Sequence, residues 1–286
     1  MVLPKVDFIQ ADILDGEAVQ EICHEHPPQV IFHTAGLKHL VPLELTPFQA
    51  LETNVLGMVR VLEMADLFHV QHFVNISSDK AVNPTSVLGV SKRISELLLL
   101  AFGAPAICTR SLRLGNVLES SESVVHAFLR SVENHQPFEV TDPQAQRYFI
   151  TMDEAAAFLL ETLNIRESSL LVPEMGSPQR VLDLIAFLMR DLQLDLSRVA
   201  TVEIGMRDGE KKIEQLTYDY EYRRKTTVQH LYRLGGTTIA DVEKLTSDIG
   251  RMLDLVLERR VSGLLKALQD IVPEYQPSAT LLRCLG

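Results

Sequence analysis

The feature that most constrains this chain is an alternation of short, almost wholly apolar runs with longer amphipathic stretches. "QVIFHT", "HFVNIS" and "AICTRSLRL", starting at residues 29, 72 and 106, are strand-like, and "KVDFI" near the N-terminus reads as a further strand. Between and after them, "DGEAVQEICHEH", "PFQALETNVLGMVRVLEMADLF" and "SVLGVSKRISELLLLAF" repeat their apolar positions every three to four residues, as helices do. Runs that are apolar at successive positions belong to strands covered on both faces. Strands alternating with helices build a parallel sheet with helices packed over it. The expected fold class is therefore α/β. Past about residue 165 the texture changes: "SSLLVPEM" and "RVATVEIG" read as short strands, "RVLDLIAFLMRDL" and 237–271 as helices, the latter with breaks.

Composition narrows the function classes. A net charge of -11 argues against a nucleic-acid partner or an anionic membrane surface. Cys23, Cys108 and Cys284 are widely spaced with no CxxC, which fits reduced, cytosolic thiols rather than a disulfide framework or a zinc site. No metal centre is expected. The N-terminus lacks the basic and long apolar regions of a secretory signal, and no apolar run approaches the roughly 20 residues of a membrane span. The expectation is a soluble, cytoplasmic protein.

In an open parallel sheet, ligands bind at the carboxyl ends of the strands. Three such ends carry polar residues here: His33, the run Ser77-Ser78-Asp79-Lys80, and Asn116. They either converge on one crevice or represent ordinary loop polarity; pattern alone leaves both readings open.

The segments "FHTAGLKHLVPLE", "TNVLGMVRVLEMA", "ISSDKAVNPTSVLGVSKR", "LRLGNVL", "VTDPQAQRYFIT", "GMRDGEKKIEQL" and "VPEYQPS" follow one another in this order. Together they resemble the extended short-chain dehydrogenase/reductase family, and within it the UDP-N-acetylglucosamine 4,6-dehydratase branch of the polysaccharide biosynthesis proteins. The resemblance implies a Rossmann-like parallel sheet and a smaller C-terminal substrate lobe. Residues 1–165 would form the dinucleotide-binding domain and 166–286 the lobe, with 119–147 compatible with either.

It also implies a redox-neutral elimination. Hydride leaves C4 of the hexose for NAD or NADP, the C5 proton and the C6 hydroxyl are lost as water, and hydride returns to C6. By resemblance, Asp79 is the acid for the departing hydroxyl, Lys80 the base at C5, and Ser78 the hydroxyl near C4. Lys92 holds the nicotinamide ribose, and Asp12, Ile13, His33 and Ala35 complete the cofactor set. Lys38, His39, Asn116, Arg147, Arg207 and Glu210 match substrate-binding positions. Asn54 is expected to brace the fold instead.

Three departures qualify the match. Leu88 stands where most members keep a proton-handling tyrosine; a membrane-anchored subgroup carries methionine there. "GNVLESSESV" brings Glu119 and Glu122 where the branch has glycine, and Ser121 where it has arginine. The glycine-rich GxxGxxG turn is missing, and the chain enters the pattern at its third strand, with "IQADILD" matching "GDIRD". The readings to test are a dehydratase on a UDP-N-acetylhexosamine, a nucleotide-sugar epimerase, and a fragmentary or silent relative that binds a sugar nucleotide or partner. Relatives suggest a homo-oligomer.

Overall fold

The computed structural model describes residues 6–102, 107–120, 123–193 and 200–285. Four strands run parallel in one sheet: β1 (Val30–His33), β2 (His72–Ser78), β3 (Cys108–Leu114) and β4 (Ser169–Pro173). A hairpin, β5 (Tyr222–Lys225) and β6 (Leu231–Gly235), extends it antiparallel, giving the order β1-β2-β3-β4-β6-β5. In register, Val30 lies opposite His72, His72 opposite Cys108, and Ser78 opposite Leu114, so the carboxyl ends of β2 and β3 finish together.

Helices form where the periodicity requires them, and side-chain caps begin them. Asp15 accepts from Ala18 N to start α1 (Gly16–Glu25). Residues 47–67 are helical throughout, but a π turn at Glu52–Leu56 interrupts them before α2 (Gly57–Leu67). That turn presents Asn54, whose side chain accepts from Leu37 N and donates to Leu37 O and Ser91 Oγ. It thereby fixes the loop after β1 to α3 (Val87–Ala101). Two later helices, α4 (Val242–Leu257) and α5 (Leu264–Ile271), pack on α3: Met252, Val256 and Leu268 share one core with Leu88 and Ile94.

One expectation changes. "KVDFI" is not a strand over its described residues. Nothing among the described residues pairs with the outer edge of β1, and Phe8 and Ile9 are 94% and 50% exposed. The antiparallel hairpin, by contrast, has no apolar signature, because every residue of β5 is exposed. The sheet runs on past position 165 through β4, β5 and β6. Smaller pairings tie Phe138–Val140 to Thr201–Glu203 and Gln146–Arg147 to Gln179–Arg180. No helix among the described residues is long and apolar enough to cross a membrane.

Candidate active site

β2 ends in hydroxyls and turns at once. Ser78 Oγ accepts from Lys80 N at 3.3 Å and donates to Asp79 Oδ1 at 2.9 Å, closing a single 3-10 turn over Asp79–Ala81. α3 begins six residues later, and its first turn packs on that 3-10 turn without a side chain in between. A Cβ on Gly89 would stand 2.4 Å from Lys80 O and 3.0 Å from Pro84 Cβ, so only glycine permits the contact. Ser86 caps the helix at Gly89 N, and the buried carboxylate of Glu44 accepts from Val87 N at 2.6 Å. Loop and helix are thus locked to one another.

Above this junction lies a cleft of about 360 Å³. Ser78, Lys80, Lys92, Asn116, Lys38 and His39 all line it, so the ends of β2 and β3 and the loop after β1 do converge. Asp79 is completely buried beneath. Its Oδ1 accepts from Lys80 Nζ at 3.0 Å, and its Oδ2 has no hydrogen-bond partner among the described residues. Burial pushes the Asp79 carboxyl up, reinforced by Glu214 and opposed by Lys80. Lys80 Nζ also donates to Asn116 Oδ1 at 3.1 Å and lies 3.7 Å from Glu214 Oε1. Burial works against the Lys80 ammonium, yet Asp79 and Glu214 outweigh it and push its pKa up. An acid inclined to stay protonated and an amine inclined to stay charged therefore touch.

Lys92 behaves differently. Its Nζ donates to Ile76 O at 3.0 Å, and burial, only partly offset by Glu96, lowers its pKa to about 8. Leu88, one turn earlier, lines the same cleft with 4% of its surface exposed and belongs to the apolar core beneath α3. No proton can be exchanged there. Lys92 is thus the titrating group that α3 presents to the cleft.

The remaining candidates lie apart from it. His33 is buried, stacked on Phe73 with centroids 5.9 Å apart, and burial and Lys92 lower its pKa to about 4, so it is neutral at pH 7. Asp12, Ile13 and Ala35 border a neighbouring hollow of about 740 Å³ beside Thr53. Arg147 Nη2 donates to Glu210 Oε1 at 2.6 Å, and Arg207 N donates to Glu210 Oε2, so these three form their own group outside the cleft lining. Glu119 is exposed; Ser121 and Glu122 lie outside the described residues.

Sequence reasoning missed Glu214 and Glu96. Glu214 sat within the quoted "GMRDGEKKIEQL", but a lone glutamate in a charged run carries no signal of its own.

Some of these residues could hold part of a nicotinamide dinucleotide. Lys92 lines the cleft and could reach ribose hydroxyls, and Gly36 leaves the backbone open beside it: a Cβ there would meet Asn54 Oδ1 at 3.0 Å and Lys92 Nζ at 3.6 Å. The hollow around Asp12, Ile13 and Ala35 could take the other end. Among the described residues, no glycine-rich turn borders either cavity to receive a pyrophosphate. No group of three or more metal-ligating side chains occurs among the described residues.

The family model described as "Polysaccharide biosynthesis protein" matches residues 3–235. The chain belongs to that family. Capsular polysaccharide biosynthesis protein CapD of Staphylococcus aureus is 31% identical over 267 residues, covering 92% of this chain and 43% of that protein. The probable polysaccharide biosynthesis protein EpsC of Bacillus subtilis is 34% identical over 208 residues, covering 72% and 35%. This chain therefore spans less than half the length of these two relatives. A UDP-glucose 4-epimerase of Rickettsia canadensis is 28% identical, covering 81% and 67%.

Two solved structures support the Rossmann-like fold. Pen from Bacillus thuringiensis superposes with a TM-score of 0.71 at 23% identity, over 86% of this chain and 81% of that one. DesIV, a dTDP-glucose 4,6-dehydratase from Streptomyces venezuelae with NAD and TYD bound, gives 0.64 at 20% identity, over 75% and 71%.

Proposed function

We propose that this chain carries the proton-handling site of a nucleotide-sugar 4,6-dehydratase acting on a UDP-N-acetylhexosamine. The observation that carries this reading is the Asp79–Lys80 contact of 3.0 Å at the floor of the cleft. Inverting C4 needs only hydride and hydroxyl-proton transfer. Eliminating water across C5 and C6 needs a base and an acid as well, side by side. Asp79 and Lys80 meet that need: burial favours the protonated acid, and Lys80 serves as the base once it has given up its proton.

In this reading Ser78 and Asn116 hold the hexose at the cleft mouth. Lys80, once neutral, takes the C5 proton, and Asp79 protonates the departing C6 hydroxyl. Lys92 holds the nicotinamide ribose and, with leucine at 88, accepts the C4 hydroxyl proton; a pKa of about 8 leaves part of its population neutral at working pH. A bound nicotinamide supplies hydride acceptance and return. Arg147 serves the diphosphate only if Glu210 releases its guanidinium, whereas Arg207 contacts that carboxylate through its backbone N–H.

The epimerase reading is favoured by the Rickettsia canadensis relative. One experiment separates them: incubation with UDP-N-acetylglucosamine in D2O, with NAD+ and separately NADP+, followed by NMR of the sugar. Deuterium at C5 with a 4-keto-6-deoxy product, abolished by Lys80→Ala with sugar-nucleotide affinity nearly intact, is the expected result. A C4 epimer without C5 deuterium would make the chain an epimerase. Binding without either change would make it a silent relative.

A further inference from the structure

Lys80 does not stand beside one carboxylate but between two. Asp79 Oδ1 is 3.0 Å from its Nζ and Glu214 Oε1 is 3.7 Å away. Glu214 is 1% exposed and is held from behind by Lys211, whose Nζ lies 2.8 Å from Oε2 and also donates to Val82 O. The other charges that bear on this group are Arg147, felt by both Lys80 and Glu214, and Glu210, which pairs with Arg147. A buried glutamate placed there by a segment far along the chain is not required to close the Asp79–Ala81 turn, whose own bonds run from Lys80 N to Ser78 Oγ and from Val82 N to Asp79 O.

We infer that Glu214 is a positioning residue that makes Asp79 and Lys80 retain one shared proton, so that the pair can convert between ammonium–carboxylate and amine–acid without drawing on solvent. This rests on the dehydratase reading. In the resting pair, an N–H bond of Lys80 breaks as an O–H bond forms on Asp79 Oδ1, leaving a neutral amine and a neutral acid. The amine then takes the C5 proton while the acid gives its proton to the leaving hydroxyl, and the water formed carries that proton away. The products are again ammonium and carboxylate, so each turnover restores the starting state with no outside acid or base. What would break the cycle is loss of the shared proton, leaving amine beside carboxylate. The negative charge of Glu214 raises the proton affinity of both partners and opposes that loss. Burial strengthens its action.

The test follows the 13Cε resonance of Lys80, assigned with Lys80→Arg, from neutral to alkaline pH in lysine-labelled protein. Glu214→Gln should lower the Lys80 midpoint by about one pH unit or more, the shift a charge at this range produces. The alkaline limb of C5 exchange should fall by the same amount. Lys211→Met, which removes the cation facing Glu214, should move both the other way, a response that a merely structural role for Glu214 does not give. Midpoints that coincide in wild type and variants of unchanged circular dichroism would overturn the inference. If Glu214→Gln does not fold, Lys211→Met decides alone. A Lys80 shift in a chain that shows no C5 exchange supports the electrostatic role of Glu214 and counts against the dehydratase reading only.

Discussion

Ser77 Oγ donates to Glu96 Oε1 at 2.6 Å, and through this one bond the strand end that carries the site is anchored in a buried ion network. Glu96 also receives Arg113 through Nε at 2.9 Å and Nη2 at 2.7 Å, and Arg93 Nη1 at 3.0 Å. Arg113 continues to Glu221 at 2.8 Å. Glu221 accepts from Thr237, and Arg93 stacks on Tyr218, whose hydroxyl donates to Ala81 O in the turn beside Lys80. Although burial opposes its ionisation, the two arginines hold Glu96 below the usual carboxylate range. The network therefore grips the Ser77–Ala81 segment from both ends.

Removing one member leaves buried charge uncompensated. Glu96→Gln should cost about 3–5 kcal/mol in denaturant unfolding, the range seen when one partner of a buried pair is deleted. Because Arg113 is bound by both Glu96 and Glu221, Arg113→Met combined with Glu96→Leu should cost clearly less than the sum of the single changes. Additive losses would show that the two act independently.

Gly89→Ala forces the first turn of α3 against the Lys80 carbonyl. Overpacking of this kind costs about 1–3 kcal/mol. Here the yielding element carries Lys80, so weakened sugar-nucleotide binding should accompany the stability loss in calorimetric titration. Gly250→Ala, which meets nothing within 4 Å in the exposed middle of α4, should do neither.

Glu44 is buried with its carboxyl pushed up by desolvation, against the bonds from Ser278 and Val87 N. A raised carboxyl pKa contributes stability that is fully present below the unfolded value and is lost as pH rises through the folded one. Thermal unfolding of wild type minus Glu44→Gln should therefore show a Glu44 contribution that declines as pH is raised from acid toward neutral. A contribution that grows with pH would contradict the assignment.

Lys92 carries the opposite sign. Its folded pKa of about 8 lies below the ordinary lysine value, so its ammonium is disfavoured by folding and the native state gains relative stability as pH rises above 8. Amine acylation read by peptide mass spectrometry should label Lys92 with a midpoint near 8. Any ligand held by its ammonium should weaken above that pH, and Lys92→Met should remove that dependence.

Much of the fold is legible in residue order because its strands are covered on both faces: a run such as "HFVNIS" has few other uses. The hairpin at Tyr222–Gly235 is not legible, because β5 is a solvated edge whose Tyr-Arg-Arg-Lys run resembles a loop. "KVDFI" misled in the opposite sense, since an apolar run becomes a strand only when a neighbour pairs with it. Ser78, Asp79, Lys80, Lys92 and Asn116 stand out as candidates in residue order because they lie in continuous motifs.

What residue order determines by itself is thus the parallel sheet, the helix after each strand, and the chemical types gathered at the strand ends. Only the tertiary structure decides their charge. Asp79 and Lys80 are neighbours in any conformation, but Glu214 reaches them, and Glu96 reaches Arg113, only across packed elements. The same packing removes water from Asp79 and Lys92. A proton's residence depends on desolvation and on charges within a few ångströms, and those distances exist only in the folded chain.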